Sequence, residues 1–182
     1  MLIKDLSNNI KSPNTIISEA KRSNRMNNFN NVQVVPFEDE YAGVFKRLNL
    51  EWIEKYFEVE EKDKKHLDHP RENIIERGGE IYSVIEEGRV MGVCALVYSD
   101  EGVYEIAKMA VEKDARGMGY GNLLMEAAIS GAKAKGGNKI VIVSNTILEP
   151  AIRLYEKYGF ETTRLGQDPN YERGNIEMEL VL

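Results

Sequence analysis

Four residues with the chemistry to bind an anion, Arg116, Gly117, Gly119 and Gly121, separate a strand-like segment from an amphipathic helix. The preceding residues 104–111 are mostly short or branched, as in a strand. The first N–H groups of a helix have no helical acceptor, and glycines let a phosphate lie against them. We therefore predict an anion site here, to which Arg116 adds a fixed positive charge.

The helix after this turn is predicted from the spacing of its apolar residues. They recur at offsets of three and four, so they share one helical face. The residues of this face are Gly121, Leu124, Met125, Ala128, Ile129 and Ala132.

Two common phosphate motifs do not describe this turn. A P-loop requires Gly-Lys followed by Ser or Thr, a combination that the chain lacks. A dinucleotide motif requires G-x-G-x-x-G, with an acidic residue about twenty positions later, where this chain has the apolar residues 140–143. The pattern R-x-x-G-x-G fits Arg116, Gly119 and Gly121, although alone it also describes an ordinary glycine turn.

A second motif follows at a distance of about thirty residues. The helix is predicted to end at Gly136, and the β-branched run 139–144 predicts a strand buried on both faces. Next come Asn145, Pro150 in a first helical turn, and the pattern Ala-x-x-Leu-Tyr-x-x-x-Gly-Phe over residues 151–160. Strand, helix and strand in this order predict a right-handed parallel crossover.

Together the two motifs resemble those of the GNAT superfamily of N-acetyltransferases. Residues 48–57, 78–81, 105–111 and 171–180 resemble a branch of small bacterial members without a broadly established acceptor. The resemblance implies acetyl transfer from acetyl-CoA to an amine, by direct attack in a ternary complex and without an acetyl-enzyme intermediate; we predict no metal. One departure is the connection after Asn145, since much of the superfamily has three residues to the motif alanine and this chain has six.

The resemblance also implies a donor site. Backbone groups of the fourth strand would pair with the pantetheine amides, as an added strand would, and the glycine turn would hold the pyrophosphate. The expected cofactor-binding residues are Met109, Ala110, Val111, Arg116, Gly117, Met118, Gly119, Tyr120, Gly121, Asn145 and Tyr155.

Two residues are candidates for proton transfer. Glu105 stands six residues before the end of its strand, about 20 Å from the turn, where some superfamily members carry a glutamate base. Its alternatives are a solvated side chain or an ion pair with Lys108, and Glu51, Glu54 or a water chain could then serve as base. Tyr155 matches the tyrosine that commonly faces the CoA sulfur, and its alternative is packing on an amphipathic helix.

On the acceptor side, the resemblance indicates the first two helices and a loop before the last strand. Candidate wall residues are Trp52, Tyr56, Tyr171 and Arg173, each of which could instead serve packing or stay solvated. We predict a small-molecule amine as acceptor. The open alternatives are a protein amine, a longer acyl donor, a non-catalytic acyl-CoA sensor on the same fold, and a partner-binding domain whose glycine loop is only a turn.

Composition narrows the class of protein. A chain of 182 residues with 42% hydrophobic and 30% charged residues fits one globular domain. The net charge of −6 argues against nucleic acid as a partner, and we find no membrane-length apolar run. Cys94 is the single cysteine, so no intrachain disulfide can form, which suits the cytoplasm. We predict that Cys94 lies in the core. His66 and His69 are predicted on a surface helix rather than as zinc ligands. Homodimers are frequent in the superfamily, but no feature of the sequence identifies an interface.

The predicted fold class is α/β (α+β), the GNAT fold. It has a central mixed, mostly antiparallel sheet of six to seven strands, a parallel crossover between strands four and five, and about four helices. We assign residues 32–182 to this domain and residues 1–31, rich in asparagine, to an N-terminal extension; Met26 is an alternative start. The second helix is predicted within 68–77.

Overall fold

The computed structural model describes residues 31–169 and 171–182. The predicted extension over residues 1–31 therefore lies, except for Asn31, outside the described residues. The strands are β1 Val32–Pro36, β2 Glu80–Glu86, β3 Arg89–Asp100, β4 Val103–Val111, β5 Lys139–Ser144, β6 Glu161–Leu165 and β7 Ile176–Val181. The α-helices are α1 Ala42–Tyr56, α2 Glu61–Asp68, α3 Tyr120–Ala134 and α4 Glu149–Lys157.

The seven strands form one sheet in the order β1-β2-β3-β4-β5-β7-β6. The pairs β2–β3, β3–β4, β5–β7 and β6–β7 are antiparallel, whereas β4 and β5 are parallel. The chain passes through α3 between these two parallel strands, as a parallel connection requires. The predicted mixed sheet with one parallel crossover is confirmed.

Helices cover both faces of β3. Val93, Ala95 and Val97 belong to a buried cluster with Phe45, Leu48 and Ile53 of α1. Gly92 points the other way, because a Cβ placed there would lie 3.2 Å from Leu124 of α3. Since successive strand residues face opposite sides, α1 and α3 pack on opposite faces of the sheet. Within the described ranges, no helix is both long and apolar enough to span a membrane.

The second helix differs from its predicted position. Helix α2 begins at Glu61, in the charged stretch before the predicted segment, because Glu60 and Asp63 form a capping box around its first turn. The segment predicted as helical contains instead one π-helical turn, Arg71–Ile75, after Pro70. The charges of α2 hid its apolar face, which buries His66 and Leu67. The prediction of His66 on a surface helix is therefore wrong, while His69 is exposed.

Candidate active site

A cleft opens where β4 and β5 separate. The two strands pair at Val103 with Lys139, Tyr104 with Ile140 and Glu105 with Val141. Beyond Glu105 lies a cavity of about 310 Å³, bounded by residues 105–111 of β4 on one side and 142–145 on the other. Met109, Ala110 and Val111, predicted to contact a cofactor through their backbone, all line it.

A β-bulge shapes the β4 side of this cleft. Val93 pairs with Ala110 and Ala95 with Ala107, so Cys94 on β3 faces two residues, Lys108 and Met109. Lys108 has a backbone φ of +50°, a left-handed conformation that costs a non-glycine residue free energy. Cys94 itself is buried, as predicted, and burial raises the pKa of its thiol.

The glycine turn lies at the start of α3, as predicted. Gly117 and Gly119 have φ values of +82° and +99°, and Gly119 is the N-cap of the helix. Among the described residues, no acceptor is found for the backbone N–H groups of Gly117, Gly119 and Gly121. Glycine is favoured at the first two positions because other residues rarely adopt such positive φ values. At Gly121 the reason is space, since a Cβ there would lie 3.3 Å from Leu154 on α4. The third glycine thus serves close helix packing.

Arg116 extends from this turn into the wall of the cleft. Its side chain is exposed, and its Nε donates to the carbonyl oxygen of Val111 at 3.3 Å. Of the other predicted phosphate-contacting residues, Met118 is 47% exposed, and the side chain of Tyr120 is buried. Only the backbone of Tyr120 could therefore face a ligand.

Glu105 lies at the inner end of the cleft, where the strands part. The hydroxyl of Tyr171 donates to its Oε1 at 3.2 Å, and the Nζ of Lys62 lies 3.3 Å from its Oε2. Lys62 also sits 4.1 Å from the centroid of the Tyr171 ring. The proposed base thus pairs with Lys62 rather than Lys108. The two alternatives, Glu51 and Glu54, are exposed on α1 and do not line the cleft.

Tyr155 of α4 reaches the same cavity from the β5 side. It is buried and packs against Phe160, with ring centroids 6.3 Å apart. Burial raises the pKa of its phenol to about 12, although a hydrogen bond with Ser144 acts in the opposite direction. The phenol is therefore fully protonated at neutral pH.

The four predicted acceptor-side residues, Trp52, Tyr56, Tyr171 and Arg173, all line the cavity. Arg173 is the best anchored, since its two terminal nitrogens contact the carboxylate of Asp63 at 2.6 and 2.7 Å. Its guanidinium also lies 5.8 Å from the Trp52 ring. Tyr56 is 46% exposed, at the mouth of the cleft.

Asp63 is the centre of a buried ionic network that the sequence analysis missed. Its side chain is fully buried, and it pairs with Arg173 and, at 3.0 Å, with the equally buried Lys108. Glu60 accepts from Arg173 at 3.0 Å as well. Burial opposes the charge of Asp63, but its hydrogen bonds from Arg173 and the charge of Lys108 lower its pKa to about 2. Asp63 follows Glu60 by three residues, the spacing of a capping box at the start of a helix, and this spacing is the sequence signal from which Asp63 could have been found.

A second, smaller cavity of about 250 Å³ adjoins the cleft. Glu105, Val143 and Tyr171 line both cavities, so they form the partition between them. The remaining walls are Lys62, Ser99, Val141, Asp168, Glu177 and Glu179. The described residues contain no group of histidine, cysteine and acidic side chains able to hold a metal ion.

The comparisons identify the family. A model of the acetyltransferase (GNAT) family matches residues 46–160, so the chain belongs to this family. It is 32% identical over 79 residues to an uncharacterized N-acetyltransferase of Schizosaccharomyces pombe, covering 43% of this chain and 48% of that protein. The chain thus matches about half the length of this curated relative.

Solved structures share the fold. A GNAT-family acetyltransferase from Staphylococcus aureus superimposes with a TM-score of 0.75 at 18% identity, covering 83% of this chain and 99% of the other. A GNAT-family acetyltransferase from Elizabethkingia anophelis, crystallised with acetyl-CoA bound, gives 0.62 at 22% identity, covering 84% and 99%.

We predict that Asp63→Asn lowers the free energy of unfolding by about 3–5 kcal/mol, because it leaves the buried Lys108 without its counter-charge and Arg173 with Glu60 alone. Urea unfolding measures this loss. Asp68→Asn is the matched control on the same helix, since its pair with Lys46 is on the surface and is worth under about 1 kcal/mol. Equal, small losses in both variants would contradict the role assigned to Asp63.

A second prediction concerns the stability of the protein at acidic pH. Burial and the nearby Lys108 and Lys62 lower the pKa of His66 to about 4, and its Nδ1 has no partner among the described residues. As the pH falls, this histidine is protonated in the unfolded state before it is protonated in the folded state. The free energy of unfolding therefore has its full value above pH 6.5 and falls by about 3 kcal/mol as the pH drops to 4. His66→Gln should flatten this part of a stability–pH curve, and exposed His69→Gln should not. A curve unchanged in His66→Gln would rule out this histidine as the cause.

Proposed function

We propose that the protein is an acetyl-CoA-dependent N-acetyltransferase acting on a small amine. The observation that carries the proposal is the cleft itself, which has Arg116 of the glycine turn at one end, the carboxylate of Glu105 at the other and the buried phenol of Tyr155 in its wall. Over the strand between them, the distance is of the order of 20 Å, which suits an extended pantetheine arm. Family membership and the fold shared with an acetyl-CoA complex support the donor.

Donor binding would use main-chain groups and one side chain. The N–H groups of Gly117, Gly119 and Gly121, for which the described residues supply no acceptor, suit pyrophosphate oxygens at the positive end of α3. Arg116 is exposed beside them and can form paired hydrogen bonds to a phosphate. The edge of β4 at residues 109–111, freed by the divergence of β5, can pair with the amides of the arm.

Glu105 would act as the general base. An incoming amine is protonated at neutral pH and must lose a proton before its nitrogen can attack the thioester carbonyl. Glu105 would take that proton, while Tyr171 and Lys62 hold its carboxylate at the partition between the two cavities. The new C–N bond forms as the C–S bond breaks, and the second proton lost by the attacking nitrogen passes to solvent. We propose direct attack because Cys94, the single cysteine, is fully buried on β3 and does not line the cleft.

Tyr155 would stabilise the departing sulfur. With a pKa of about 12, its phenol stays protonated and can donate to a thiolate. Complete transfer to a thiolate with an ordinary pKa near 8.5 would be uphill. Hydrogen bonding, followed by protonation from solvent, therefore accounts for its contribution better than full transfer. The second cavity, of about 250 Å³, supports a small acceptor.

The donor site can be tested without knowing the acceptor. If the Kd is near 10 µM, about 1 mM acetyl-CoA adds about 2.7 kcal/mol of stability and raises Tm by roughly 5–10 °C. Arg116→Ala should reduce this shift without changing the Tm of the free protein, because the side chain is exposed. Arg153→Ala, an exposed change on α4, is the control and should keep the full shift. The absence of any shift in the wild-type protein would refute the donor assignment.

The catalytic roles can be tested by release of CoA from acetyl-CoA with a panel of lysine, putrescine, tyramine and glucosamine. Glu105→Gln should lower kcat at least about 100-fold, as loss of a general base does, with little change in acetyl-CoA binding. Tyr155→Phe should lower kcat by about 10-fold, the order expected for one hydrogen bond to the leaving group. Tyr158→Phe is the control, because that hydroxyl bonds to Glu126 outside the cleft. Full activity in Glu105→Gln would remove it as the base.

A further inference from the structure

Asn145 binds another loop of the protein through its side chain. Its Nδ2 donates to the carbonyl oxygen of Arg173 at 2.6 Å. Its Oδ1 accepts from the backbone N–H of Ile147 at 3.0 Å, and its own carbonyl accepts from Leu148 at 2.9 Å. One amide group therefore shapes the long connection between β5 and α4 and joins it to residues 171–175, here called the acceptor-side loop.

Neighbouring contacts also join the β5–α4 connection to the acceptor-side loop. The backbone N–H of Thr146 donates to Oδ1 of Asn175 at 2.8 Å, and Nδ2 of Asn175 donates to Oγ1 of Thr146 at 3.0 Å. Gly174 lies so close to β5 that a Cβ there would be 2.7 Å from Val143. The acceptor-side loop thus packs directly on the end of β5.

The far side of the loop is held by α2 and by Glu60, the residue that caps its start. The Arg173 guanidinium is fixed by Asp63 and Glu60, and the backbone N–H groups of Glu172 and Arg173 also donate to Glu60, at 3.2 and 3.3 Å. The loop therefore spans the cleft between two anchors. One anchor is the ionic network on α2, and the other is Asn145. Tyr171, which contacts Glu105, lies on the same loop.

We propose that Asn145 is a positioning residue for the acceptor side of the site rather than a ligand of the acyl donor. The inference builds on the proposed function. An asparagine is needed because the position requires a donor towards Arg173 and an acceptor for Ile147 on one short side chain. The connection of six residues to Ala151 provides the length over which this turn is formed.

Two substitutions separate the functions of this amide. Asn145→Ala removes both hydrogen bonds. Asn145→Asp keeps an acceptor for Ile147 but cannot donate to the Arg173 carbonyl. Thr146→Val is the matched control, because it removes only the exposed contact with Asn175 and leaves the backbone bond in place.

The first measurement is amide hydrogen exchange of residues 171–175 in the protein without added ligand. We expect exchange at least about 10-fold faster in Asn145→Ala and Asn145→Asp than in the wild type or Thr146→Val. The second is calorimetric titration with acetyl-CoA, where Asn145→Ala should have a Kd within about twofold of the wild type. The third is steady-state kinetics with the panel amine that is turned over, where the KM for the amine should rise at least fivefold in Asn145→Ala.

A Kd for acetyl-CoA at least fivefold weaker in Asn145→Ala, with unchanged exchange and an unchanged amine KM, would overturn the proposal and make Asn145 a donor ligand. Unchanged exchange in both variants would overturn it as well. If the wild-type protein does not bind acetyl-CoA, the proposed function fails. The exchange experiment would still decide whether Asn145 holds the loop.

Discussion

The candidate site depends on one buried carboxylate. Asp63 lies on α2, Lys108 on β4 and Arg173 on the acceptor-side loop, and these elements are far apart in sequence. None of the three charges could be buried alone without a cost of several kcal/mol. The network therefore requires all three elements to be in place together. It thereby brings Tyr171 to Glu105, at the point where β4 and β5 separate.

The same lysine links the network to the shape of the cleft. Lys108 occupies the bulge of β4 in a left-handed conformation, which is unfavourable for its backbone. Its ammonium, however, reaches Asp63 from that position at 3.0 Å. The ion pair can hold a bulge that an isolated strand would not adopt. The bulge lies in the part of β4 that no longer pairs with β5, where the backbone edge of β4 faces the cavity.

Features set by short segments were predictable from the sequence. The glycine turn, the face of α3, the strand β5 and the start of α4 each follow from residue types within about ten positions. The position of α2 was not predictable from the sequence, because few of its residues are apolar and most are charged. Burial of Asp63 depends on partners forty or more residues away, which no local pattern specifies. The contact of Asn145 with Arg173 likewise joins loops whose proximity only the sheet order creates.

The burial of Cys94 has a practical consequence for enzymology. It is the only thiol in the chain, it is enclosed by the sheet opposite the bulge, and burial raises its pKa, so little thiolate is present in the folded state. Chromogenic thiol reagents should therefore react with the CoA product and not with the native protein. The same reagents would label the chain once it unfolds, which makes this residue an internal reporter of the folded fraction.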